Sequence, residues 1–287
     1  MSIWQILYGA YLNLLAAPFL FTLIIIRWKR SQIRINTRLC GLRLTPLFFI
    51  RFYYSAVMDL LRFLHGHYGR PIQVRTRDME KLETLKNGSS LYLTGHFHNW
   101  ELMGAWMGRQ GIPLVSAARS MAQPLSHSLL VRVRTRLGMK VLFRDIPRQA
   151  LRHLAAEKCF ALLWDQRVPS SDRKASLFGH SLSLDPLPFF LTGHLPVNVL
   201  FGALLPNGQI RLVQIANPLR GKKPFSQLGR RYHRVLEILV RAHPHLWYGL
   251  AHSRFREVAD YSLSRDVSRE TMAASEVMVS RETKLSG

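Results

Sequence analysis

Residues 94 to 102 read TGHFHNWEL, which sets His96 five positions before Glu101 and directly after the apolar run Leu91-Tyr92-Leu93-Thr94. Histidine is the side chain that accepts a proton near neutral pH, with an ordinary pKa of about 6.5, and a carboxylate can fix its tautomer and stabilise the imidazolium. Such a pair can activate a hydroxyl. A helix turns about 100° per residue, so positions five apart lie roughly 140° apart and do not share a face. The spacing therefore predicts His96 at a strand end or in a turn and Glu101 in the first turn of a helix, with Asn99 as its cap. A helix N-terminus there also presents N–H groups to an anionic substrate. Taken alone, the pair is more simply a surface histidine and a first-turn glutamate favoured by the helix dipole. The flanking sequence changes that assignment.

The elements that must position this pair follow from hydrophobic patterning. From Leu82 to Ile215, short apolar runs alternate with amphipathic stretches, as in a sheet covered by helices. Strands are predicted at Leu91 to Thr94, Pro113 to Ser116, Lys140 to Phe143, Phe160 to Trp164, Val197 to Ala203 and Ile210 to Ile215. Helices are predicted at about 98–109, 124–137, 147–157 and 185–195, and a further one from Phe225 to Ala242 repeats apolar residues at helical spacing.

The charge balance points to the partners. With 40 Lys plus Arg against 17 Asp plus Glu, the formal net charge is +23, which suits an anionic partner: nucleic acid, acidic lipid or an acidic carrier protein. The first acidic residue is Asp59, and residues 2 to 26 carry no charge. At about 1.5 Å rise per residue, that stretch matches a hydrocarbon core of about 30 Å. Arg27, Lys29, Arg30, Arg34, Arg38 and Arg43 follow the apolar run, the opposite of a secretory signal peptide, so the segment reads as retained. By the positive-inside rule, those flanks place the rest of the chain in the cytoplasm. A buried N-terminal helix and a helix lying in the membrane interface are the alternatives.

Four zones result: a transmembrane or membrane-anchoring helix at 1–27, a basic amphipathic connector at 28–69, a catalytic domain at 70–256 and a polar tail at 257–287. The connector interleaves Leu47, Phe48, Phe49, Phe52, Tyr53, Val57, Leu60, Leu61 and Leu64 with Arg51 and Arg62. It reads equally as a helix resting on an anionic bilayer or as a core helix with snorkelling arginines. The tail holds no aromatic after Tyr261 and is too polar to offset its ordering entropy, so disorder is expected. Cys40 and Cys159 are too few for a disulfide framework, and Cys159 sits in an apolar run as a small hydrophobe.

Beyond the pair, TGHFHNWEL resembles the GHFGNWEL block of the lipid A biosynthesis acyltransferases, the lauroyl and myristoyl transferases of the His-x4-Asp/Glu glycerolipid acyltransferase group. Further blocks resemble that family in the same order: Gly138 to Arg144 (GMKVLFR), Trp164-Asp165-Gln166-Arg167, Leu177-Phe178-Gly179, and HPHLWYGLAHSRF from His243 to Phe255. The resemblance covers roughly Asp78 to Arg256. Three departures stand out. His98 replaces a usual glycine, HSLSLDPLPFF replaces a Thr- and Gly-rich stretch, and SAARSMAQP around Arg119 lacks the family's Pro and Asn.

The resemblance implies an α/β fold of glycerolipid-acyltransferase type, a mixed central sheet flanked by helices, and transfer of a fatty acyl group from a thioester to a hydroxyl. His96 would act as general base with Glu101 orienting and charging its imidazole. Substrate contacts would fall to Arg119, Arg144, Asp165, Gln166 and Arg167, and neither metal nor other cofactor is needed. The implied partners are acyl carrier protein or acyl-CoA as donor, a phosphorylated glycolipid acceptor and the inner membrane, with the catalytic domain facing the cytoplasm. The basic run from Arg119 to Arg152 suits phosphate and an acidic carrier protein, although a solvated helix face is its ordinary use. An acyl-CoA-dependent enzyme for another polar lipid is the alternative within the class. A metal-dependent hydrolase would use His96, His98 and Glu101, with His65 and His67 as a second cluster, but the spacing matches no metal motif. A nucleic-acid-binding protein would explain the charge, yet the chain lacks a recognition motif and that role leaves the apolar N-terminus idle.

Overall fold

The computed structural model describes residues 3–25, 27–118, 124–166, 168, 171–217, 227–252, 254–255 and 258. Arg119, Arg167 and, apart from Val258, the tail at 257–287 lie outside the described residues.

Seven strands form one sheet in the order β1 (Gln73–Val74), β9 (Gln209–Ala216), β8 (Asn198–Leu204), β2 (Ser90–Thr94), β5 (Cys159–Leu163), β3 (Leu114–Ala117) and β4 (Lys140–Leu142). Neighbours run parallel except β8 and β9, whose antiparallel pairing is closed by a short turn at Gly208 (φ +83°). The sheet is therefore mixed and the fold α/β, as the patterning and the resemblance imply. Each of the six strands read from the sequence begins within one residue of its expected start. The structure adds β1, which is two residues long, and a separate hairpin of β6 (Lys174–Leu177) and β7 (His180–Ser183). Both escape notice because their side chains are too polar or too few to alternate.

β2 is buried at every position, since β5 and β8 flank it and both of its faces are covered. Leu91 and Leu93 face a core built with Phe160, Leu162, Phe201 and the helix α9 (Leu228–Ala242). Tyr92 faces the other way, against Leu102, Met103 and Met107 of α5 (Trp100–Arg109) and Leu82 and Leu85 of α4 (Met79–Asn87). A central parallel strand reads as a continuous apolar run for this reason. α6 (Pro124–Arg136), α7 (Ile146–Ala155) and α8 (Leu187–His194) follow the expected helical stretches, and α4, whose few apolar residues are interleaved with charges, is an addition.

The connector holds α2 (Arg30–Leu39) and α3 (Pro46–His65). Thr45 caps α3, its hydroxyl accepting the Phe48 N–H at 3.2 Å, and Pro46 opens the first turn. Gly66 ends it at φ +69°, with the His67 N–H returning to the Arg62 carbonyl. Between these caps, Phe48, Phe49, Phe52 and Tyr53 enter the main core, so α3 buries much of its apolar surface inside the protein. On its other side, Val57, Met58 and Leu61 pack against Leu12 and Ala16 of α1 (Ile3–Ile25). α1 is long and apolar enough to cross a membrane by length and composition.

Candidate active site

Parallel register brings the site together. Thr94 of β2 is paired with Leu163 of β5, so the residues two positions beyond each strand end, His96 and Asp165, emerge at the same level. Ligand sites form at the carboxyl ends of parallel strands for the same reason. Gly95 permits the approach, because a Cβ there would lie 3.1 Å from the Asp165 carboxylate.

His96 Nδ1 hydrogen-bonds Asp165 Oδ1 at 2.7 Å, and the His96 backbone N–H donates to Asp165 Oδ2 at 2.8 Å. The Trp247 indole N–H donates to the same Oδ2 at 2.8 Å. Burial pushes the Asp165 pKa up, but the facing His96 charge and these hydrogen bonds outweigh it and hold the carboxyl well below the usual carboxylate range. An ionised Asp165 on Nδ1 leaves Nε2 as the basic nitrogen, and the Gln166 side-chain amide donates to Nε2 at 3.1 Å. His252 stands 5.0 Å from His96 between ring centroids, its pKa pushed down to about 4 by burial and then by the His96 charge. Trp100 closes another side of the His96 ring at 4.9 Å.

Glu101 does not hold the imidazole. It lies in the first turn of α5, which Asn99 caps by accepting the Leu102 N–H at 3.1 Å, and its carboxylate is clamped by Arg134 of α6. The Arg134 Nε donates to Glu101 Oε2 at 3.0 Å and a second guanidinium nitrogen to Oε1. The expected His96–Glu101 contact fails because Asp165, delivered by the neighbouring strand, already occupies Nδ1.

Both groups nonetheless line one cavity of about 480 Å³. Its polar end holds His96, Glu101, Arg134, Gln166 and His252, and the remainder is lined by Tyr92, Met103, Leu114, Leu130, Met139, Ile146 and Leu187. This volume falls in the range of small-molecule sites, which are mostly apolar with a few placed polar groups. A cavity of about 330 Å³ adjoins it, sharing Trp100, Glu101, Leu130 and His252 and reaching Trp28 and α3. A larger space of about 650 Å³, between Trp4, Tyr8, Tyr68 and Trp106, lies away from His96.

His98 turns the other way. Held at φ +48°, a conformation that normally favours glycine, it donates Nδ1–H to Asp59 Oδ2 at 2.9 Å, and its Nε2 hydrogen-bonds the Tyr68 hydroxyl at 2.8 Å. Tyr248 donates its hydroxyl to the same Asp59 oxygen at 2.6 Å. The departure from the usual glycine is thus absorbed by Asp59 of α3 and by Tyr68 just beyond that helix, and His98 does not line the His96 cavity.

The remaining candidates separate. Gln166 is at the site, backed by the buried Arg254, whose guanidinium donates to the Gln166 carbonyl at 3.0 Å. Arg144 is exposed between β4 and α7 and does not line the cavity; among the described residues of the basic run, Arg134 does. Arg119 and Arg167 lie outside the described residues. His65 and His67 stand against Tyr11 and Tyr8 of α1 and do not line the His96 cavity. Trp247, Tyr248 and His252 went without roles although their HPHLWYGLAHSRF block was singled out. Asp59, the first acid in the chain, was the other signal available.

A family model described as bacterial lipid A biosynthesis acyltransferase matches residues 58–257, well over half of the chain. No curated protein matches it.

Proposed function

The chain belongs to the bacterial lipid A biosynthesis acyltransferase family and is an acyltransferase, and we propose that it moves a fatty acyl group from acyl carrier protein to a hydroxyl of a lipid A precursor or related glycolipid, at the cytoplasmic face of the inner membrane. The observation that carries this is His96, with Nδ1 locked on an ionised Asp165 and Nε2 turned toward a largely apolar 480 Å³ cavity.

The acceptor hydroxyl displaces the Gln166 amide from Nε2 and gives its proton to that nitrogen as the oxygen attacks the thioester carbonyl. Asp165 keeps Nδ1 protonated and stabilises the imidazolium that forms. The displaced Gln166 amide lies beside the reacting centre and donates to the tetrahedral oxyanion, a contribution that strengthens as charge develops. Collapse expels the thiolate, which takes the proton from Nε2. His252, held neutral by burial, adds no positive charge that would suppress protonation of His96. Glu101 and Arg134 fix the polar wall against which the acceptor head group rests, and the exposed Arg144 offers a phosphate contact from the surface.

The test is to incubate membranes containing the protein with acyl carrier protein or coenzyme A thioesters and several lipid acceptors, then identify products by mass spectrometry. Transfer from the carrier protein to a phosphorylated glycolipid is expected, and its loss in folded His96→Ala protein. Parent-rate transfer by that variant would overturn the assignment.

A further inference from the structure

We infer that His252 is a second catalytic residue, an imidazole that donates its N–H to the thioester carbonyl and to the oxyanion formed from it. The inference rests on the acyl transfer at His96 proposed above and deepens it.

Two substrates have to meet in front of His96, and two cavities do. Among the described residues, the 480 Å³ and 330 Å³ cavities share Trp100, Glu101, Leu130 and His252. A carbonyl brought from one cavity to a hydroxyl in the other reacts at this junction. Leu130 has no polar side-chain atom, and the Glu101 carboxylate is an acceptor already held by Arg134. The donors at the junction are therefore the His252 imidazole and the Trp100 indole, whose rings stand 5.0 and 4.9 Å from that of His96.

His252 is fixed by its backbone while its ring is left unspent. Its backbone N–H donates to the Gly249 carbonyl at 3.1 Å, and its carbonyl accepts the side-chain amide of the buried Asn36, on α2, at 2.8 Å. The same amide donates to the Leu250 carbonyl at 2.9 Å, which ties the segment down on both sides of Ala251. His96, His98 and His233 each spend both ring nitrogens on protein partners. Among the described residues, neither ring nitrogen of His252 has such a partner, and neither is sealed inside the core. A polar group left unpaired in a mostly buried place is costly, so a cavity-facing imidazole of this kind is matched by a partner on the substrate.

The protonation state suits the role. Burial, and then the His96 charge, push the His252 pKa down to about 4, so near neutral pH the ring carries one N–H and stays uncharged. A neutral imidazole polarises a carbonyl without giving up its proton. As the acceptor oxygen attacks, its proton passes to His96 Nε2, the C–O bond forms and the carbonyl π pair moves onto oxygen. His252 and the Gln166 amide then hold that oxyanion together. Collapse returns the pair, breaks the C–S bond and sends the proton from Nε2 to the thiolate, so His252 ends as it began.

The test uses the full chain in membranes, a lauroyl thioester of acyl carrier protein and the glycolipid that the mass-spectrometric assay shows to accept from it. His252→Met is expected to lower kcat by about 10²- to 10³-fold, the usual cost of one oxyanion donor, with KM and the shape of the pH–rate profile kept. His252→Gln, of the same length but with an N–H, should recover most of that loss. In His96→Ala protein, which binds the thioester without transferring it, the thioester carbonyl should stretch at a lower infrared frequency than when His252→Met is added. His252→Phe serves for both measurements if His252→Met does not fold. Equal frequencies, or His252→Gln as slow as His252→Met, would overturn the inference. So would a rate lost in Trp100→Phe but kept in His252→Met, which assigns the donor to the indole. Parent rate in His252→Met with His96→Ala inactive removes His252 alone, whereas parent rate in both removes the transfer at His96 as well.

Discussion

Two histidines two residues apart make nearly the same local arrangement and point to different ends. His96 gives Nδ1 to the buried Asp165, which also accepts from Trp247; His98 gives Nδ1 to the buried Asp59, which also accepts from Tyr248. What differs is the far nitrogen. For His96 it meets a side-chain amide at the edge of a cavity, whereas for His98 it meets a buried tyrosine hydroxyl at 2.8 Å. Burial pushes that tyrosine pKa up to about 12. A histidine–aspartate pair therefore specifies no chemistry by itself; access to the second nitrogen decides whether it serves catalysis or holds a loop.

The largest expected effect separates the two pairs directly. His96→Ala should lower kcat/KM by about 10²- to 10⁴-fold, the usual range for a general base, and Asp165→Asn by about 10⁴-fold through the wrong tautomer. His98→Gln, measured in the same steady-state assay, should lose less than about tenfold, since a general base is not removed. Equal losses at both histidines would break the comparison.

Next comes Asp59→Ala, which leaves His98 and Tyr248 without their acceptor. Denaturant unfolding should show a loss of about 1–3 kcal/mol for each buried group left unsatisfied, with kcat of the folded fraction largely kept. The Glu101 contact offers a sharper distinction. A double-mutant cycle on Glu101→Ala and Arg134→Ala should give a coupling of about 0.5–3 kcal/mol in kcat/KM, as for residues in direct contact. The cycle of Glu101→Ala with Asp165→Ala should be nearly additive; the reverse ranking would return Glu101 to the imidazole.

The smallest effect is in pH. The folded-state pKa of His252 is pushed down to about 4, below its ordinary 6.5, so between these values the unfolded chain binds a proton that the folded chain refuses. Stability from this source rises with pH through that window and is lost on acidification. His252→Gln should flatten the fall in melting temperature from pH 6.5 to 4, leaving the slope due to His233, whose pKa is pushed to about 3 by burial and Arg254, and to His153, His243 and His245, whose pKa values burial also lowers. An unchanged slope would remove His252 from the account.

Much of the sheet was legible because its strands are buried on both faces and therefore written as apolar runs, as Leu91 to Leu93 and Phe160 to Leu163 show. β1 and the β6–β7 hairpin were not, since two residues and two polar tetrapeptides leave no periodic trace. Within the site, His96 and the Asn99 cap were readable from local chemistry, and Gln166 from its block. Arg144, readable from its block, lies exposed and outside the cavity, while Arg134, one charge among many, could be singled out only once α6 was seen beside Glu101.

By itself the chain determined the helix start at Asn99, the strand that delivers His96, an uncharged N-terminal stretch and a strongly basic surface. These are local properties, set by neighbours within a few positions. Tertiary structure decided which carboxylate meets His96, because Asp165 lies 69 positions away and arrives only through the parallel register of β2 and β5. It also decided that Glu101 pairs with Arg134 and that α1 lies fastened along α3, since contacts between distant segments depend on packing that no local pattern encodes.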